Sequence, residues 1–330
     1  MTRSALSVRP DGQVIVTGSL AFDQIMVFSG NFKDHILPEK LHVINISFLV
    51  SEMHRRRGGC SGNIAYTLAL LGQQPRVVAA AGRDFAEYGE WLREQGVDTE
   101  GICIFDDEQT ASCFITSDKA ANQITGFFVG AMGRAGELSL AERAGERPAV
   151  CIIAPDDPGA MIRHCREARE TGLPFIFDPS FQVTAMDGEP LAEAAQGAAI
   201  LVLNDYEHAV FEKKTGKKGK EIFDLVGMVI VTLGERGSKI LLADGEEIAI
   251  PPARISQVLD PTGAGDAFRG GFAAGLMRGF ELEVCARMGS VAGAYVVEQN
   301  GTQSHAYTIG EFEKRYRENF GPLPARLGRS

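Results

Sequence analysis

The chain has 330 residues, 45% hydrophobic, 23% charged and 8% aromatic, a globular balance that suits one large domain with an appendage or two moderate domains. Its formal net charge of −10 argues against a nucleic acid or an anionic membrane as partner, so an anionic ligand needs a local electropositive pocket. The six cysteines (Cys60, Cys103, Cys113, Cys151, Cys165 and Cys285) form no CxxC pair, and most sit in apolar runs as small hydrophobes. The histidines form no HxxxH or HExxH pattern, which argues against a zinc site. No apolar leader and no run of membrane-spanning length occurs, so a soluble, reduced, cytoplasmic protein is expected.

In chain order, Val14–Thr17 reads as a buried strand, and Ser61–Leu71 as a helix that Ser61 caps and Gly72 stops. Val77–Ala81 (strand), Phe85–Gln95 (helix), Val150–Ala154 (strand) and Pro158–Thr171 (helix) continue the alternation. Phe175–Asp178 and Ile200–Asn204 read as strands running into polar turns. Met228–Leu233 and Lys239–Ala243 flank the turn at Gly234–Gly237, and Gly265–Arg278 and Leu282–Val297 read as helices. The pattern is that of a sheet covered by helices. Residues 21–57 and 101–131 break it: rich in β-branched and aromatic residues, they read as a small second sheet, a lid formed by two excursions from a core of 11–20, 58–100 and 132–330. The lysine cluster Lys213–Lys220 reads as a solvated loop.

Two glycine-rich stretches carry candidate chemistry. In Asp260-Pro-Thr-Gly-Ala-Gly-Asp-Ala-Phe268 the small residues Gly263, Ala264 and Gly265 let backbone N–H groups at a helix start converge on an anion. Asp266 beside them is placed to accept a proton from an attacking hydroxyl; the plainer reading is an acid capping a helix after a glycine turn. The stretch is neither a P-loop, since GxxxxGK[ST] is absent from the chain, nor a dinucleotide fingerprint. In Gly58-Gly-Cys-Ser-Gly-Asn63, Gly58 and Gly59 let a ligand lie against the backbone, and Asn63 can bond sugar hydroxyls. Alone this is equally a flexible connection into a capped helix.

The two stretches together, in this order, resemble the two signatures of the PfkB (ribokinase-like) family of carbohydrate and nucleoside kinases. The first matches through Gly58-Gly59, Asn63-x-Ala65, Gly72 and Gly82, the second along Asp260–Gly271. Val97-Asp98 leading into Gly101-Ile102, an Asn204-x-x-Glu207 motif and Thr232–Ser238 follow the family in order, so the resemblance spans nearly the whole chain. Asn204 with Glu207 is also a capping-box pattern, and Thr232–Gly237 also a hairpin turn.

The resemblance implies a three-layer α/β/α ribokinase-like core with a small β-sheet lid, and an ATP- and Mg²⁺-dependent phosphotransferase that leaves open a monovalent cation such as K⁺. By it Asp266 is the base in an anion hole of Gly263, Ala264 and Gly265; Asn204, Thr232, Gly234, Gly237, Gly263, Gly265 and Asn300 contact the nucleotide; and Glu207 organises Mg²⁺ through water. Asp23 is the sugar-gripping aspartate, working with Gly58, Gly59 and Asn63. Leu37-Pro-Glu with Ile44–Phe48, Ala121–Met132 and Asn300–His305 resemble the adenosine and nucleoside kinases more than the sugar kinases, and Asp178-Pro-Ser180 departs from a polar motif common in the sugar branch. Phe22, Phe28, Phe114, Phe127 and Phe128 offer faces for a base, with Phe128 taken as the contact, although each singly is more plainly lid or core packing; the Arg55–Arg57 run beside Gly58 could face phosphates, with surface charge the plainer reading. The expected reaction is adenosine + ATP to AMP + ADP, a purine-salvage step, by a monomer or homodimer without nucleic acid or membrane. A sugar kinase of the same family (ribose, fructose or fructose phosphate) and a catalytically silent nucleoside-binding relative remain as alternatives.

Overall fold

The computed structural model describes residues 8–9, 11–43, 45–120 and 122–324, with Glu39 by its backbone alone. Residues 1–7, together with Pro10, Ile44 and Ala121, lie outside the described residues.

The strands are β1 (Gln13–Thr17), β2 (Ala21–Phe28), β3 (Val50–Gly58), β4 (Arg76–Val78), β5 (Ala80–Gly82), β6 (Cys103–Phe105) and β7 (Ala111–Ser117), followed by β8 (Gln123–Phe128), β9 (Pro148–Ile153), β10 (Phe175–Phe177), β11 (Ala198–Asn204), β12 (Val226–Thr232), β13 (Ser238–Leu242) and β14 (Glu247–Ile250). The α-helices are α1 (Cys60–Leu70), α2 (Ala86–Glu94), α3 (Leu140–Arg143), α4 (Pro158–Thr171) and α5 (Gln182–Ala185), then α6 (Gly188–Ala195), α7 (Asp205–Thr215), α8 (Ala264–Met277), α9 (Leu282–Val297) and α10 (Ile309–Phe320).

Eight strands form the main sheet in the order β14-β13-β12-β11-β10-β9-β1-β4. It is parallel from β12 to β4 and antiparallel at β12-β13-β14. Successive strand residues alternate between two cores, as a sheet covered on both faces requires. Val14, Val16, Ile152 and Ile230 pack under α1, α8, α9 and α10. Ile15, Cys151, Ile153 and Val229 pack under α4, α6 and α7. The result is the expected three-layer arrangement, with Asp178, Asn204 and Thr232 at the carboxyl ends of β10, β11 and β12.

The second sheet runs β3-β2-β7-β8. Its register decides which side chains share a face: Asp23 pairs with Arg56 and Cys113, and Cys113 with Phe127, so these four form one row. Phe22, Arg57, Ser112 and Phe128 form the next row, pointing to the opposite face. Phe22 on that face packs against Tyr88, and Arg57 covers Trp91.

Three local expectations change. The strand expected over Val77–Ala81 splits after Val78: β4 joins the main sheet, while β5 pairs with β6, because the chain around Ala79 turns to Cys103, whose amide bonds the Ala79 carbonyl at 2.9 Å. Cys103–Phe105 therefore pairs outside the four-stranded sheet. Ser61 does not cap α1; its hydroxyl donates to the Ser19 carbonyl, and Ser19 Oγ accepts the Cys60 amide at 3.1 Å, so the cap arrives from another segment. Lys213 and Lys214 form part of the last turn of α7, where Lys214 Nζ donates to the Thr184 and Met186 carbonyls at 2.6 Å each. Among the described residues no helix is long and apolar enough to cross a membrane.

Candidate active site

Strand β3 runs directly into α1 through Gly58 and Gly59, and this junction carries the first signature. Gly59 has φ +89°, and a Cβ there would stand 2.5 Å from the Ser19 carbonyl oxygen, so only glycine fits. A Cβ on Gly58 would stand 2.7 Å from Asp23 Oδ2; the missing side chain is what lets the Asp23 carboxylate lie across the junction.

The second signature opens α8. Gly263 is its N-cap in the left-handed region (φ +82°), with no side-chain cap. The Ala264 amide bonds the Pro261 carbonyl at 3.2 Å, which takes it out of the expected anion hole. The amides of Gly265 and Asp266 lie in the first helical turn without intrahelical acceptors and carry the positive end of the helix dipole. Asp260, which begins the motif, accepts the Thr262 amide at 2.9 Å and the Gly301 amide at 3.1 Å, tying this turn to the loop after α9.

The two signatures meet at one hydrogen bond: Asn63 Nδ2 donates to Asp266 Oδ2 at 2.8 Å, across 203 residues of sequence. Gln303 Nε2 donates to Asn63 Oδ1 at 2.7 Å and to the Tyr88 hydroxyl at 2.6 Å, and Tyr88 donates to the Gly58 carbonyl at 2.9 Å. Asn63 is thus engaged at both ends of its amide, with one N–H left for a ligand, and its first effect is to aim Asp266. Burial pushes the Asp266 carboxyl above the usual range, while Arg269 and hydrogen bonds from Asn63 and Cys60 pull it back. Asp23 is raised to about 6 by burial and by the Asp260 charge, against the pull of Arg56.

A cavity of about 380 Å³ lies on the other side of the α8 start, lined by Thr232, Gly234, Gly237, Ala264 and Gly265. Val258, Phe268, Ala294 and Val297 make its apolar wall, as a nucleobase requires. Three expected nucleotide contacts lie off it: Asn204, Asn300 and Gly263, the N-cap of α8. Asn204 spends its side chain on the capping box of α7, with Glu207 N to Asn204 Oδ1 and Asn204 N to Glu207 Oε2 both at 2.8 Å. Asn300 lies in an exposed turn beyond α9. Glu207 Oε1 is 3.4 Å from Ser180 Oγ, and Glu207 is nearly buried. Among the described residues no group of three or more His, Cys, Asp and Glu stands ready for a metal.

The aromatic assignments also change. Phe22 belongs to the core against Tyr88, and Phe28 stacks on Phe32 and packs against a tilted Phe48 at the far end of the second sheet. Phe128 points away from Asp23 because the strand period puts it on the opposite face; Phe127, 49% exposed, is the ring on Asp23's side. Sequence reading also left out Arg269, Asp178 and Tyr88 as site members, and took Arg56 for surface charge, although it lies in Asp23's row and against Gly301. The spacing of Asp266 and Arg269, three apart on a helix, is the one signal that could have found Arg269.

The pfkB family carbohydrate kinase profile matches residues 24–309, which takes in both glycine-rich signatures and most of both sheets. The chain belongs to this family. Among relatives of this pfkB-family chain, the nucleoside kinase of Methanothermobacter thermautotrophicus is 31% identical over 321 residues, covering 95% of this chain and 98% of the relative. The structure of Burkholderia thailandensis nucleoside kinase in complex with inosine is 37% identical with a TM-score of 0.83, covering 93% of this chain and 98% of the other. The Methanocaldococcus jannaschii nucleoside kinase structure is 27% identical with a TM-score of 0.84, covering 93% and 99%.

Proposed function

We propose that this pfkB-family chain transfers the γ-phosphate of ATP to the 5′-hydroxyl of a purine nucleoside, adenosine first, giving AMP and ADP. The observation that carries this reading is the Asn63–Asp266 hydrogen bond, which puts a buried carboxylate beside two free helix-start amides, between the Asp23 row and the apolar cavity. The cavity takes the nucleotide, with its phosphates directed at the Gly265 and Asp266 amides. Asp23 accepts the 2′- and 3′-hydroxyls of the ribose, Phe127 covers the base, and the second sheet closes over the nucleoside as a lid. The acceptor hydroxyl loses its proton to the Asp266 carboxylate as its oxygen bonds the γ-phosphorus and the bond to the ADP oxygen breaks. The helix-start amides hold the developing charge.

Mg²⁺, bound with the nucleotide, would neutralise the phosphate oxygens. The protein fits a metal held mainly by phosphate and water: Glu207 is a single carboxylate already shared between the Asn204 amide and Ser180, so it suits metal-bound water rather than the ion itself. The nucleoside choice is supported by the relatives, since the Burkholderia enzyme has been captured with ADP-inosine. A coupled ADP-release assay over adenosine, inosine, cytidine, ribose, fructose and fructose 6-phosphate tests the reading. Adenosine is expected to exceed ribose in kcat/KM by roughly 5–150-fold, the worth of ~1–3 kcal/mol of base stacking. Ribose matching adenosine would return the chain to the sugar kinases.

A further inference from the structure

Arg269 lies on α8 three residues beyond Asp266 and is 9% exposed. Asp178, delivered at the end of β10 and fully buried, takes its guanidinium in a fork: Nη2 donates to Oδ1 at 2.5 Å, and Nε pairs with Oδ2. The remaining nitrogen, Nη1, is turned the other way. It stands 3.9 Å from Asp266 Oδ1, and so close over Gly265 that a Cβ there would meet it at 2.6 Å. One cation, fixed by a carboxylate from the sheet, thus reaches both the candidate base and the start of the anion-binding helix.

We propose that Arg269 is a positioning residue: clamped by Asp178, it keeps Asp266 ionised and aimed at the acceptor hydroxyl. The role rests on the kinase reading above. A carboxyl this deeply buried is driven toward its neutral form, in which it cannot take a proton. The groups that face Asp266 are the Cys60 thiol and Asn63 amide from α1, the Tyr88 phenol from α2, the Asp178 carboxylate from the end of β10, and Arg269 from its own helix. Arg269 is the cation of that set, so the ionised form depends on it. Asp178 fixes where that cation stands: the fork removes the rotamer freedom of a long side chain, and lysine cannot reproduce it. A merely structural ion pair joining α8 to the end of β10 would move stability and leave the pH profile alone.

The test is kcat against pH, at saturating ATP and adenosine, for the wild type, Arg269→Lys, Arg269→Gln and the double variant Arg269→Gln/Asp178→Asn. Stripping one partner leaves the other buried without a counter-charge, so the double variant, amide facing amide, carries the test if the single one does not fold. The acid limb is expected to rise by about 1–3 pH units in both variants that lack the cation, while KM for ATP changes little. Arg269→Lys is expected to keep the wild-type limb at a lower kcat. An unmoved limb in a folded variant that lacks the cation overturns the role, as does an equal rise in Arg269→Lys. A wild type that transfers phosphate to no nucleoside overturns the kinase reading and this role with it; an active wild type with an unmoved limb overturns the role alone.

Discussion

The two ends of the candidate site are built differently. At the phosphate end, Asp266, Asn63, Gln303, Tyr88, Arg269 and Asp178 form one bonded set anchored on α1, α2, α8, the end of β10 and the loop after α9. At the nucleoside end, β8 is exposed along its whole length, and Phe127 turns a half-open ring toward the row of Asp23. The first end has its polar partners in place before any ligand arrives, which is what transition-state stabilisation asks of it. The second has little apolar contact of its own, so a ligand must supply the ordering. On the proposed reading, chemistry falls to the packed layers and choice of substrate to the appended sheet.

The largest effect that could break this division is at the phosphate end. Asp266→Asn keeps the shape and the Asn63 contact but cannot take the proton. Its kcat is expected to fall by about 10²–10⁴-fold with ATP and adenosine affinities little changed, measured by steady-state turnover and direct binding. Near-normal turnover would remove Asp266 from the mechanism. A comparable loss in affinity instead would mean that the two ends are not separable.

A smaller effect sharpens the other end. Phe127→Ala should raise the adenosine KM by roughly 5–150-fold, as expected for the loss of ~1–3 kcal/mol of stacking, and leave the ribose KM nearly unchanged. Phe128→Ala, on the opposite face, should do neither. Kinetics of both variants on both substrates decides between the faces, and an adenosine-specific effect in Phe128→Ala alone would restore the assignment made from sequence.

How much could be read from the sequence follows the same division. The buried strands and the helices of the main layers announce themselves by apolar runs and periodicity, and both glycine-rich signatures stand out because backbone must approach an anion or a carboxylate there. The faces of the second sheet do not announce themselves. Phe127 and Phe128 are adjacent aromatics, and only strand register, set by pairing with Ser112 and Cys113, says which one faces Asp23. The Ser19 cap on α1 and the Asp178–Arg269 fork join segments 41 and 91 residues apart, and no local pattern encodes such pairings. Asn204 shows a third kind of ambiguity: its motif satisfies helix capping completely, so local sequence could not separate a cap from a nucleotide contact.

The smallest expected effect is a pH dependence of nucleoside binding that belongs to Asp23. Its carboxyl titrates at about 6, because burial and the Asp260 charge disfavour ionisation more than Arg56 favours it. The ionised form is the one that accepts both ribose hydroxyls, so lowering the pH through 6 removes the acceptor. Between pH 7 and pH 5 the ionised fraction drops about tenfold for a group titrating there, and the adenosine Kd should weaken by about the same factor. The direction is set by the raised value: a carboxyl at its ordinary value would stay ionised through this window and give a flat profile. Calorimetric Kd values without nucleotide are the right measurement, since protonation of Asp266 acts on turnover. A nucleoside lacking the 2′- and 3′-hydroxyls should bind more weakly at pH 7 and show little of the dependence. A flat adenosine profile from pH 5 to pH 7 would take Asp23 out of ribose recognition and leave the appended sheet with the base alone.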